Sequence, residues 1–331
     1  MSENGGFAVT DDILQEQAIE VIKPLIPPDA EDRVTRSYRQ WNQIVRDHIR
    51  NETELKLADG DGRNAVSVKV VDGFPVGLAH LIGRYSDPVL WRLIVGQPKL
   101  GGVVEGLTFL LDDWQAFEQW PQLPPTARNG RDPMHRTVEI VNALQQAALT
   151  ERVRKDITAI DEDILGVYHT ITSNVEIFWM PIAMVAAMLD VRIEDLTVVV
   201  LAHELTHGYT HIGRDIDGLQ WDNEVFRRSD HAVVEGLAQF YTEVVTNKIA
   251  QRSPGPKLAY ERLLGLQSGP YLAHQTWGKE GDRQRGETVR FTMVAARSRD
   301  PMKHDAWLEM LEATKKNLAK MPTKPGLFDE P

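Results

Sequence analysis

Apolar positions recur along this chain with two periods, and the alternation of the two sketches its elements. Helical spacing in the first fifty residues predicts helices over 11–23 and 30–50, separated by a break carrying Pro24, Pro27 and Pro28. Period-two spacing follows, and residues 54–58 and 65–71 read as a β-hairpin around the turn at 59–64. That turn copies the opening of a calcium loop, but Arg63 and Asn64 stand where an oxygen ligand and the glycine belong, so it reads as an ordinary turn. Further on, 163–169 and 174–179 read as two strands joined by 170–173, with Val175, Ile177 and Trp179 on one face. Helical spacing returns over 138–153, 181–189, 257–265 and 306–319. Trp91, Trp114 and Trp120 sit among apolar neighbours and read as core.

Two further helices stand between these. Glu194 and Asp195 place negative charge where a helix N-terminus favours it, and residues 198–202 are apolar on every side, as in a buried helix. From Ser229 or Asp230, either of which can cap, Val233, Leu237, Phe240 and Val244 mark a second. A polar, proline-bearing stretch at 121–133 is the candidate domain boundary. The expected organisation is therefore an N-terminal helical and β-hairpin domain over 1–134, a second domain over 135–321, and a disordered tail over 322–331. The fold class is α+β and mainly helical.

The first of these helices carries His203-Glu204-Leu205-Thr206-His207. Two imidazoles four apart on a helix point the same way and can grip one metal ion, with the intervening glutamate beside its open position. A random chain of this length would contain H-E-x-x-H on the order of one time in a hundred. In this pattern the histidines are ligands and Glu204 is the general base acting on a metal-bound water.

A catalytic zinc site needs a third protein ligand. His211 lies about 12 Å along the axis from His203 on a continuous helix, and could serve only if the helix breaks at Gly208. Glu235, on the second helix, is the better candidate, with His231 one turn earlier as its rival. Several groups could stabilise an oxyanion: Tyr209, His231, Tyr260, Tyr271 and His274.

With its HELTH at 203–207 and a downstream EGLAQFYTE at 235–243, the chain resembles the gluzincins, thermolysin-like and aminopeptidase-like zinc peptidases. The resemblance covers roughly 190–245. It implies a zincin-like catalytic domain with a small sheet beside the active-site helix, one Zn2+ ion held by His203, His207 and Glu235, Glu204 as catalytic base, and hydrolysis of a peptide or protein substrate. An edge strand of that sheet would pair with extended substrate. Two departures stand out: a long segment through 215–228, and Gln239 where many members carry an aspartate that orients a zinc histidine. Asp215, Asp217 or Asp230 could take over that duty. Other readings of the same residues are a zinc-binding scaffold that does not turn over, and a hydrolase of a non-peptide amide.

Composition narrows the field. Of 331 residues, 42% are hydrophobic and 26% charged, enough for a sizeable core. A net charge of −11 with no dense basic stripe argues against nucleic acid and against an anionic membrane. With no cysteine there are no disulfides, thiol nucleophiles or thiolate ligands. The acidic N-terminus has no apolar core, and the longest apolar run, 177–189, is too short for a bilayer, so a cytoplasmic location is expected. The N-terminal domain could receive a regulatory partner.

Overall fold

A computed structural model describes residues 11–57, 66–96, 164–278, 283–297 and 300–320, together with positions 149, 150, 152, 153 and 155–157. The turn at 59–64, the boundary at 121–133, most of the helix expected over 138–153, Trp114, Trp120 and the tail lie outside the described residues. In chain order the elements are α1 (Asp11–Ile22), α2 (Ala30–Thr53), β1 (Ser67–Val71), α3 (Val76–Arg84), α4 (Pro88–Gly96), β2 (Gly166–His169), β3 (Asn174–Phe178) and α5 (Trp179–Leu189). They continue with α6 (Ile193–Ile212), α7 (Asn223–Arg228), α8 (His231–Ala250), α9 (Gly255–Leu264), a 3-10 helix (Gly269–Thr276), α10 (Arg283–Ala296) and α11 (His304–Leu318). The protein is, among the described residues, mainly helical with one small sheet. Among the described residues no helix is long and apolar enough to cross a membrane.

The chain divides into two compact units. One draws on residues 1–28, 73–164 and 183–190, the other on 29–72, 165–182 and 191–331. In the first, α1 packs on α3 and α4. Gln15 closes it by accepting from the Phe74 N–H at 2.9 Å and donating back to the Phe74 carbonyl. Trp91 is fully buried there, and its indole N–H donates to the Tyr85 carbonyl.

The second unit is built around α6. This helix lies against α2, α8, α9 and both strands β2 and β3, so it is covered on nearly every side and carries apolar residues all round. Its buried threonines satisfy their hydroxyls within the helix: Thr197, Thr206 and Thr210 donate to the carbonyls of Ile193, Ala202 and Thr206. At its N-terminal turn Glu194 takes a two-pronged bond from Arg33 of α2 at 2.8 and 2.9 Å. Toward its C-terminal end, Gly208 lets the approach to β1 pass close, since a methyl group there would meet Val66 at 3.0 Å.

The sheet has the order β1-β3-β2. β2 and β3 form the antiparallel hairpin read from the alternation, with Val175 and Ile177 fully buried on one face. Trp179 does not extend that face; it opens α5 and donates to Asp72. The expected hairpin of 54–58 with 65–71 is not formed. β1 pairs instead in parallel with β3, while Lys56 makes an isolated antiparallel bridge to Arg214, beyond the end of α6. Long-range burial decides this: Leu55 and Leu57 are buried where Lys56 meets Arg214, and α2 holds β1 through Arg46 to the Val66 carbonyl and Tyr38 to the Val68 carbonyl.

Candidate metal centre

His203 and His207 stand one turn apart on α6, and Glu235 reaches them from the second turn of α8, which packs alongside. The three ligand atoms converge. His203 Nε2 lies 3.2 Å from His207 Nε2 and 3.2 Å from Glu235 Oε2, and His207 Nε2 lies 3.5 Å from the same oxygen. With metal–ligand bonds of about 2.0–2.1 Å, the corners of a tetrahedral site are ~3.3 Å apart. The group therefore fits a single small divalent ion, and among the described residues it is the one cluster of three such side chains that does.

The charge balance of the trio agrees with that geometry. Burial alone would raise the Glu235 carboxyl, but His207 and His203 outweigh it and hold it well below the usual carboxylate range. Burial likewise opposes a charge on His207, yet Glu235, by its charge and hydrogen bond, raises it. Without metal the cluster thus keeps an ionised carboxylate beside a proton-hungry imidazole, a preformed hole for positive charge.

Glu204, next to His203 and only 2% exposed, faces the start of β2. Gly166 lies flat against it: a methyl group there would stand 2.9 Å from Glu204 Cγ. A glycine inside a strand pattern often marks such a close approach, the one sequence signal that could have flagged Gly166. Among the described residues no strand covers the outer edge of β2.

His211 is not part of the cluster. α6 runs unbroken through Gly208, and His211 Nδ1 meets the Tyr168 hydroxyl at 2.9 Å while its ring stacks on Phe226. Burial, then Arg297, pulls His211 down to about 4, so it is neutral and can accept the phenol proton; burial pushes Tyr168 up to about 12. His231, the rival ligand, is exposed at the first position of α8 and outside the cluster.

The expected supporting carboxylates also act elsewhere. Asp230 occupies the N-cap of α8 without capping it; its oxygens accept from the His304 N–H and from Lys303. Asp215 accepts from the Asp217 N–H. Gln239 donates to Gln267. Of the five oxyanion candidates, Tyr209 donates to the Arg46 carbonyl, and Tyr260 and His274 bond each other at 3.1 Å in the wall of a polar cavity of about 240 Å3. Tyr271 is different: partly exposed on the 3-10 helix, its ring is centred 6.2 Å from that of His203.

Gly236 explains how that 3-10 helix comes so close. A methyl group at 236 would run into the Trp277 ring at 2.6 Å, so only glycine lets the segment carrying Tyr271 close on α8 beside Glu235. Trp277, Gly166, Arg33 and Arg297 are all contributors that the linear pattern did not single out. Compared with known protein families, characterised proteins and solved structures, the chain matches none of them.

Proposed function

We propose that the protein is a zinc-dependent peptidase of zincin-like build, with His203, His207 and Glu235 as ligands and Glu204 as general base. The observation that carries this reading is the meeting of two Nε2 atoms and one carboxylate oxygen at tetrahedral spacing, with a buried glutamate next in the chain to one of them. Two neutral imidazoles and one carboxylate are the borderline-soft donor set that suits zinc. Bound there, zinc supplies Lewis acidity and brings the ionisation of a water into the neutral range.

The chain's own residues would do the rest. Glu204 accepts the proton of the attacking water at its carboxylate and passes it to the leaving amine. The outer edge of β2, beginning at Gly166 against Glu204, offers main-chain hydrogen bonds to an extended peptide. Tyr271, whose ring is centred 6.2 Å from that of His203, is the side chain assigned as donor to a developing oxyanion.

The test pairs zinc stoichiometry with cleavage profiling of a protein mixture for wild type, Glu204→Gln and Tyr271→Phe. The reading requires one zinc in all three, new peptide termini from wild type, none from Glu204→Gln, and a rate lowered ~10–1000-fold in Tyr271→Phe. Zinc in wild type with identical profiles for Glu204→Gln would instead favour a non-catalytic metal protein.

A further inference from the structure

The end of α6 closest to His207 is finished by a residue 85 to 88 positions away in sequence, and every carbonyl there can be accounted for. A helix leaves its last four carbonyls without a partner in the ladder. In α6 the last four are Tyr209, Thr210, His211 and Ile212, of which Tyr209 O keeps a backbone donor in the Gly213 N–H at 3.0 Å. The Trp221 N–H takes His211 O at 2.9 Å, and the Gln220 side chain takes Ile212 O at 2.7 Å. The other two go to Arg297, whose Nη2 donates to Tyr209 O at 3.0 Å and Thr210 O at 2.7 Å.

The same guanidinium turns its other arm to the loop that follows, Nη1 donating to Gly213 O at 2.7 Å and, more weakly, to Leu219 O at 3.4 Å. Arg297 follows directly on α10 and is 4% exposed. Burying a cation whose bonds all run to carbonyls is costly, the more so because its Nε has no hydrogen-bond partner. Here it sits at the negative end of the helix dipole, where charge is favoured. A planar fork reaching four carbonyls is a task lysine cannot copy.

The link to the metal ligands is short. Thr210, whose carbonyl Arg297 holds, donates its hydroxyl to Thr206 O and, at 3.2 Å, to His207 O. His211, in the same turn, is held at its ring by Tyr168 and at its carbonyl by Trp221. The turn bearing His207 is thereby fixed in rotation, and with it the direction in which its Nε2 points at Glu235.

We propose that Arg297 is a positioning residue of the metal centre: by clamping the C-terminal turn of α6 to the loop after it, the guanidinium sets the ligand geometry and so the metal affinity. This rests on His203, His207 and Glu235 binding a metal, and the experiment separates the two claims. Zinc affinity is measured by chelator competition, and the visible absorption of the cobalt(II)-substituted protein is recorded, for wild type, Arg297→Met and Arg297→Lys. Val34→Ala, a fully buried α2 residue beside the Arg33–Glu194 pair, serves as a control of lowered stability away from the centre.

Arg297→Met is expected to lose ~10–100-fold in zinc affinity and to shift or weaken the cobalt bands, as removal of groups supporting metal ligands does. Arg297→Lys should fall between Met and wild type. Val34→Ala should lose stability while keeping the bands. Wild-type affinity and bands in Arg297→Met overturn the proposal, as does an affinity loss equalled by Val34→Ala. Should Arg297→Met fail to fold, wild-type affinity and bands in Arg297→Lys overturn it in the same way. Wild-type protein that takes up neither metal overturns the centre itself, and Arg297's role with it.

Discussion

Gly166 and Glu204 stand in direct apposition: a side chain of even one carbon on the strand residue would come within 2.9 Å of the glutamate's Cγ and 3.0 Å of its Oε1. The Glu204 side chain therefore has a wall on the strand side, and that wall is backbone. Gly166→Ala is expected to push Glu204 aside without touching the three ligands. The expected outcome is metal content equal to wild type with peptide hydrolysis lowered ~10–100-fold, because small misplacements of a reacting group cost that much. Zinc analysis beside kcat measurement checks it, and unchanged kcat would count against Glu204 acting from this position.

Gly236 makes a separate expectation. Gly236→Ala would drive a methyl group into the Trp277 ring, which is 5% exposed and packs between Phe240 and Trp307. Overpacking of this kind costs about 1–3 kcal/mol. Denaturant unfolding followed by tryptophan fluorescence should show that loss, together with a shift of the native emission as Trp277 moves. A stability equal to wild type would mean that the 3-10 helix can back away freely.

Metal uptake should compete with protons. Glu235 raises His207 above the ordinary histidine value, and the metal needs that imidazole neutral. Affinity is therefore full above the raised value and weakens as pH falls through it, about tenfold per unit. Calorimetric titration in two buffers of different ionisation enthalpy, repeated at falling pH, is expected to report a growing proton release. Glu235→Gln removes the group that raises His207, so its proton release should shrink even where metal still binds.

The Arg33–Glu194 pair gives a second pH signature, far from the metal. The hydrogen bond from Arg33 holds Glu194 down to about 2, against an ordinary value of 4.5. Because the folded value is depressed, the pair's contribution is complete above about 4.5 and is lost as pH falls toward about 2. The carboxylate is 27% exposed, so screening limits the contribution to roughly 1 kcal/mol. Arg33→Ala should be less stable than wild type by about that much at neutral pH, and the gap should narrow below pH 4.5 in urea unfolding. A gap constant with pH would show that Arg33 acts by packing alone.

Saturating zinc should stabilise the folded chain by mass action, by about 2.7 kcal/mol at one hundred times the dissociation constant. Glu235→Ala should lose most of that gain while His231→Ala keeps it, since His231 is exposed and outside the cluster. Thermal unfolding with and without zinc compares the two. The reverse order would transfer the third ligand to His231.

The helices were legible because each carries its own signal. Spacing alone placed α2 and α11 within a few residues of their observed ends and located the starts of α6 and α8, and the alternation in 163–179 located the β2–β3 hairpin. The two histidines were legible too, since their geometry is set by one turn of helix. Glu235 was read as the better third ligand with His231 as its rival, but spacing along the chain could not show which of them meets the histidines. The expected hairpin at 54–71 failed for the same reason: alternation says that a segment is a strand, and says nothing of its partner. Asp230 has a capping residue's identity but spends its carboxylate on Lys303 and His304, across 73 and 74 positions of sequence.

By itself, then, the sequence determined what the backbone of each segment does and which two imidazoles share a helix face, because those depend on neighbours within a turn. The tertiary structure decided what meets across elements: that Glu235 and not His211 joins the histidines, that β1 lies parallel to β3, that Gly166 abuts Glu204, and that Arg297 finishes α6. Such meetings depend on how buried surfaces and unsatisfied carbonyls find partners through space, and no periodicity along the chain encodes that.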